Sequence, residues 1–305
     1  MDTQEALEIA GEHLKSIRGH VFDLLTVSKP ISPEAAVYLT KVVSKLSPML
    51  GNLIEFNAVE YLNDQKDFKP FGEWTRQDPG FPDALFKGSI YPAPGLEIKA
   101  WFPLATEVTA RFKDSQNHFL NDKTHVVLLA WLPEKLIFGK PHILDVCVVS
   151  GKSVAKARDD HYHNPPDYLV LEPEDTSNRT RNLQQTNTNG YKWQGTDKQF
   201  ANAKKLVDSW GANAHLYQPT REYQYMLRTL IAKYPYRLDT NFAKMDRIGH
   251  HEIEEFKKHV LEMEFQGHTV GDWSKILFRG DEANVKSELS ERFQIVDQES
   301  QNILK

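Results

Sequence analysis

The chain has one cysteine in 305 residues, Cys147, so no intramolecular disulfide can form and a reducing compartment is its natural setting. Cys147 sits inside the apolar run Ile143 to Val149 and reads as core. The opening Met-Asp-Thr-Gln-Glu lacks the basic region and apolar run of a signal peptide, and no stretch approaches the apolar length needed to cross a bilayer. A cytoplasmic protein without a membrane partner is expected. Positive charge is not in excess either: 37 Lys and Arg stand against 42 Asp and Glu, a formal net charge of −5. That excludes a generally basic nucleic-acid binder, so any contact with DNA must come from local patches. Internal repeats, low-complexity tracts and a clear linker are also missing, and one compact domain spanning 1–305 is expected. At 40% hydrophobic and 26% charged residues, a sizeable core is possible.

What is present falls into stretches of different pattern. From 1 to 62 the apolar residues recur at helical spacing, with one or two helices from Glu5 to about Val27 broken near Gly19. Ser32-Pro33 and Ser47-Pro48 each read as an N-cap with a first helical proline, starting helices over Pro33–Lys45 and on to about Leu62. Asn63 to Gly80 follows neither period and reads as a loop. Between 81 and 150 lie a strand candidate at Leu96–Trp101 and two nearly continuous apolar runs, His125–Trp131 and Ile143–Val149, which suit central strands covered on both faces. Gly151 to Asp167 reads as a polar loop. Residues 196–305 read as mostly helical: Thr196-x-x-Gln199 is a capping box, and Thr220–Tyr234 and His251–Phe265 carry apolar stripes.

The chemistry is concentrated in Phe81–Trp101. In Leu96-Glu97-Ile98-Lys99-Ala100-Trp101 charged and apolar residues alternate, so Glu97 and Lys99 leave the sheet on one face. Pro82-Asp83 stands 14 residues before Glu97, a separation that a hairpin can span. If Asp83 ends a neighbouring strand, two hard carboxylate ligands meet beside an ammonium, a set that can hold Mg²⁺ and an attacking water. Other acid-x-Lys triplets occur at Asp64, Asp67 and Glu255. The first two sit in the polar stretch, and the third lies in a helical pattern, where residues two apart do not face each other. Only the Glu97 triplet survives that filter.

Pro82-Asp83 followed by Glu97-Ile98-Lys99 resembles the PD-(D/E)XK nucleases, and in particular type II restriction endonucleases. The resemblance covers roughly residues 48–194. It implies an α/β fold with a mixed sheet core flanked by helices and a helical C-terminal part. It also implies Asp83 and Glu97 as Mg²⁺ ligands, Lys99 as the residue that orients or helps deprotonate the water, and hydrolysis of double-stranded DNA; a homodimer is expected because one active site cuts one strand and a palindrome is cut on both. Asn52-Leu53-Ile54-Glu55 looks like the helix that precedes the Pro-Asp strand in such enzymes, which makes Glu55 a candidate fourth catalytic residue. The plain alternative for Glu55 is a solvated helix position.

A second polar stretch, Thr176 to Lys205, holds six cations against the single anion Asp197. Arg179, Arg181, Asn182, Gln185, Asn187, Asn189 and Lys192 mix the side chains that pair bidentately with guanine and adenine in the major groove. The stretch looks like a recognition region of restriction endonucleases, and 172–194 is the expected DNA-recognition segment. An Asn-rich surface loop is the alternative. His161-Tyr162-His163 has no cysteine or third ligand spaced nearby and reads as exposed loop histidines, and His250-His251 before Glu252 fails the His-Glu-x-x-His pattern because position 255 is Glu. Two rival functions remain beside the restriction enzyme. One is a structure-specific or repair nuclease of the same fold; the other is a non-catalytic DNA-binding protein whose acids are structural.

Overall fold

The computed structural model describes residues 1–77, 80–104, 119, 121–163, 168–170, 190–193, 195–214, 220–238 and 249–297. The fold is mixed α/β, as expected: a five-stranded mixed sheet flanked by helices, with further helices at the C-terminal end. The chain divides into two compact units, not the one domain that the sequence suggests. The larger comprises Met1–Thr109, Gln116–Ala155 and His250–Lys305; the second, inserted in the chain, comprises Ala110–Ser115 and Lys156–Gly249. The C-terminal helical part is therefore split, with 196–249 in the inserted unit and 250–305 returning to the larger one.

In the larger unit, α1 (Thr3–Ser16) starts at a capping box between Asp2 and Glu5 and buries Ala6, Leu7, Ala10 and Leu14. Gly19 follows at φ +79°, a left-handed conformation that glycine adopts without penalty. The helical reading beyond it fails. Val21 and Val27 instead bridge His142 and Gly139, so the segment runs extended along a strand. The two helices expected on either side of Pro48 are one, α2 (Pro33–Asp64), capped by Ser32. Pro48 has no N–H for the carbonyl of Ser44, and the Ser47 hydroxyl donates to that carbonyl at 2.8 Å. The group that proline orphans is thereby satisfied, which is how the helix passes through.

The sheet order is β1 (Gly72–Arg76), β2 (Ala84–Gly88), β3 (Gly95–Trp101), β4 (Thr124–Pro133) and β5 (Pro141–Ser150). β3 and β4 are parallel and the other neighbours antiparallel. Strand β1 lies in the stretch read as a loop, because it is an edge strand with one fully buried side chain, Trp74, and so shows no period. Asn63 of α2 completes that edge: its side-chain amide accepts from the Trp74 N–H at 2.7 Å and donates to the Trp74 carbonyl at 2.9 Å. β4 and β5 are buried almost throughout, matching their apolar runs. α1 packs on β4 and β5, and α2 packs on β1 and β3, where Gly51 meets Ala100.

The helix α3 (Gly151–His163) replaces the polar loop expected there. Among its described side chains, 151–157, Val154 and Ala155 are fully buried, too short a pattern to show as an apolar stripe in the sequence. The inserted unit holds β6 (Tyr168–Val170), β7 (Gly190–Trp193) and β8 (Tyr236–Leu238) in one small sheet, with α4 (Asp197–Asp208) and α5 (Arg221–Lys233). The Thr196–Gln199 capping box and the Thr220 N-cap are formed. The larger unit resumes with α6 (His251–Glu262), a short hairpin β9 (Glu264–Phe265) and β10 (His268–Thr269), α7 (Val270–Arg279) and α8 (Glu282–Phe293). Among the described residues no helix is long and apolar enough to cross a membrane.

Candidate active site

The pairing of β2 with β3 is short, Ala84 with Leu96 and Leu85 with Gly95. One step beyond, Asp83 stands opposite Glu97, where the two strands part. Gly95 permits the approach, since a Cβ there would meet the Pro82 ring at 2.5 Å. Beyond the parting, β3 still pairs with β4 through Trp101, but β2 no longer pairs with it. The N–H groups that would have bonded β2 are taken by carboxylates. Ile98 N–H donates to Asp83 Oδ2 at 2.9 Å, and Ala100 N–H donates to Glu55 Oε1 at 3.0 Å. Asp83 N–H donates in turn to Glu97 Oε2 at 3.2 Å. The strand edge thus gathers Glu55 of α2, Asp83 just before β2 and Glu97 of β3.

Lys99 completes the cluster. Its ammonium lies 2.8 Å from Asp83 Oδ2 and 2.8 Å from Glu97 Oε1. Glu97 is buried at 6% exposure, while the side chains of Asp83 and Lys99 keep 26% and 27%, so the cluster opens to solvent on their side. Burial pushes the carboxyl of Glu97 above its ordinary value, and the charge of Lys99 opposes this. Burial likewise raises Glu55, against the Ala100 N–H and the Lys99 charge. Burial disfavours the Lys99 ammonium, but the charges of Glu97 and Asp83 and hydrogen bonds to both override it and lift its pKa to about 12. Lys99 is therefore a firm cation at neutral pH, with Glu55 electrostatically coupled to it and to Asp83.

The four residues expected to act together are thus in one place. Among the described residues no group of three or more His, Cys, Asp or Glu side chains is arranged to hold a metal ion. Asp83 and Glu97 offer two facing carboxylates, which fits Mg²⁺, an ion usually held by one or two carboxylates with the rest of its shell from water and phosphate. Of the expected DNA-reading residues, Arg179, Arg181, Asn182, Gln185, Asn187 and Asn189 lie outside the described residues. Lys192 lies in β7, and its side chain is likewise outside them. One neighbour was missed in the sequence: Arg76 of β1 donates to the Asn52 carbonyl of α2 at 3.1 Å, and its charge acts on Glu55. It falls in the stretch read as a loop, where nothing marks it. No family model, curated protein or solved structure matches the chain.

Proposed function

We propose that the chain is a Mg²⁺-dependent endodeoxyribonuclease, a type II restriction endonuclease of the PD-(D/E)XK class that cleaves double-stranded DNA in the cytoplasm as a homodimer. The observation that carries this reading is the junction of Asp83, Glu97 and Lys99, with both carboxylates 2.8 Å from the ammonium at a partly open strand fork. Asp83 and Glu97 would hold the magnesium ion, which supplies a Lewis acid for the phosphate and a water of lowered pKa. Lys99 acts as a fixed positive charge. It orients the water or helps deprotonate it, and offsets charge on the phosphorane. Glu55 holds the Ala100 N–H and so fixes the end of β3 beside Lys99. The segment 172–194 is assigned to base reading.

Supercoiled plasmid incubated with the purified chain and Mg²⁺ is expected to give discrete bands. Nicking that follows DNA structure and not sequence would move the assignment to a repair nuclease. Absence of cleavage with either Mg²⁺ or Mn²⁺ would leave the acids as a structural ion cluster, a reading favoured by how fully Lys99 is paired.

One such site cuts one strand, so cutting both strands of a palindrome calls for two copies about a two-fold axis. Sedimentation should report a dimer on cognate DNA. A monomer, both free and on a cleaved site, contradicts the restriction-enzyme reading.

A further inference from the structure

Two helices of the inserted unit carry the same surface pattern. α4 turns Ala203 and Val207, and α5 turns Tyr223, Leu227 and Leu230, into a common core with Trp193. On the opposite side of α5 stand Arg221, Tyr225 and Arg228, at the i, i+4, i+7 spacing that lines residues along one helix face. Both arginines are exposed, and Tyr225 is 74% exposed. α4 repeats the arrangement with Lys198, Asn202 and Lys205, all exposed and opposite Ala203 and Val207. Their neighbour Lys204 is neutralised by Asp208 at 2.8 Å. Among the described residues Arg221, Arg228, Lys198 and Lys205 have no such acid.

Two of these cations do not serve the helices that bear them: Arg221 and Lys198 occupy first turns, where the helix dipole disfavours positive charge, whereas Lys205 stands in the last turn of α4, where it is favoured. They do account for how charge is divided. The inserted unit carries 16 Lys and Arg against 12 Asp and Glu, a formal +4, while the rest of the chain carries 21 against 30, a formal −9. A polyanion is repelled by the larger unit taken as a whole, and its attraction falls to the inserted one.

We propose that the outer faces of α5 and α4 hold the phosphate backbone of double-stranded DNA. Arg221 and Arg228 make the main ionic contacts, and the Tyr225 hydroxyl donates to a phosphate oxygen. The choice of DNA as the polyanion rests on the nuclease reading; the basic surface does not. These contacts position the duplex and carry no sequence information, which separates them from the role assigned to 172–194.

The test is titration of labelled duplexes with the full chain, as wild type, R221A/R228A, R221K/R228K and, as a control in the larger unit, K258A. Alanine is a good helix former and both arginines are exposed, so R221A/R228A should melt as the wild type does. Its affinity should fall roughly tenfold or more at low salt, equally for every sequence, and the slope of log K against log salt should become shallower by about 2. R221K/R228K should recover most of that slope, since lysine keeps the charge, and K258A should match the wild type. Unchanged affinity and slope in R221A/R228A overturn the proposal. So does equal weakening in the Lys variant, which would point to altered folding and not to charge. A wild type that binds with the expected slope but cuts nothing supports this surface and sinks the nuclease reading. A wild type that binds no duplex at low salt overturns both.

Discussion

Glu97→Gln should abolish cleavage while DNA binding persists, and Asp83→Asn should do the same. Each change removes one anionic ligand and preserves shape, so the loss expected is roughly 10³-fold or more, several kcal/mol at about 1.36 kcal/mol per tenfold. Stability gives the second readout. Glu97 is buried, and burial holds its carboxyl above the ordinary range, so the charged form is a cost to the fold. Replacing it with a neutral amide leaves Lys99 paired with Asp83 at 2.8 Å. The melting temperature of Glu97→Gln should therefore stay level or rise as activity disappears. A functional acid and a structural one separate on this point. Full cleavage by the variant would sink the site assignment, and a clear drop in melting temperature with binding also lost would mean that Glu97 holds the fold.

The strands that place this site were legible because their patterns are local. Leu96–Trp101 alternates and is β3; the two apolar runs are β4 and β5, buried on both faces as continuous hydrophobicity requires. The convergence of Asp83, Glu97 and Lys99 followed from alternation plus a hairpin-length gap, whereas Glu55 came only from the resemblance of its helix to the one before the Pro-Asp strand in restriction endonucleases, with a solvated position as the equal alternative. What was not legible depends on partners distant in sequence. Pro48 reads as a helix start until the Ser47 hydroxyl is found covering the Ser44 carbonyl. β1 has one buried side chain, and its edge is completed by Asn63, so no period betrays it. The inserted unit joins residues 110–115 to 156–249, a grouping made by packing, to which no linker composition points. The basic face of α5 was hidden for a related reason: its apolar residues announce a core helix, and only exposure reveals what Arg221, Tyr225 and Arg228 share.

Lys99→Met is expected to cut the cleavage rate on the order of 10² or more, because it removes the charge that orients the water and offsets the developing negative charge. Methionine fills a similar volume, and Asp83 keeps its bond to the Ile98 N–H at 2.9 Å, so the strand fork should survive. The two carboxylates are then left facing each other without their shared cation, like charges that repel at short range. Their joint demand for a cation rises. In the wild type the ammonium lies 2.8 Å from an oxygen of each carboxylate, on the very groups offered to magnesium. Calorimetric titration should accordingly find Mg²⁺ bound more tightly by Lys99→Met than by the wild type, while turnover falls. A residue that merely decorated the surface would shift neither quantity. Near-normal cleavage would show that Lys99 does not assist the chemistry, and magnesium affinity weakened alongside activity would show that it does not compete with the metal for its carboxylates.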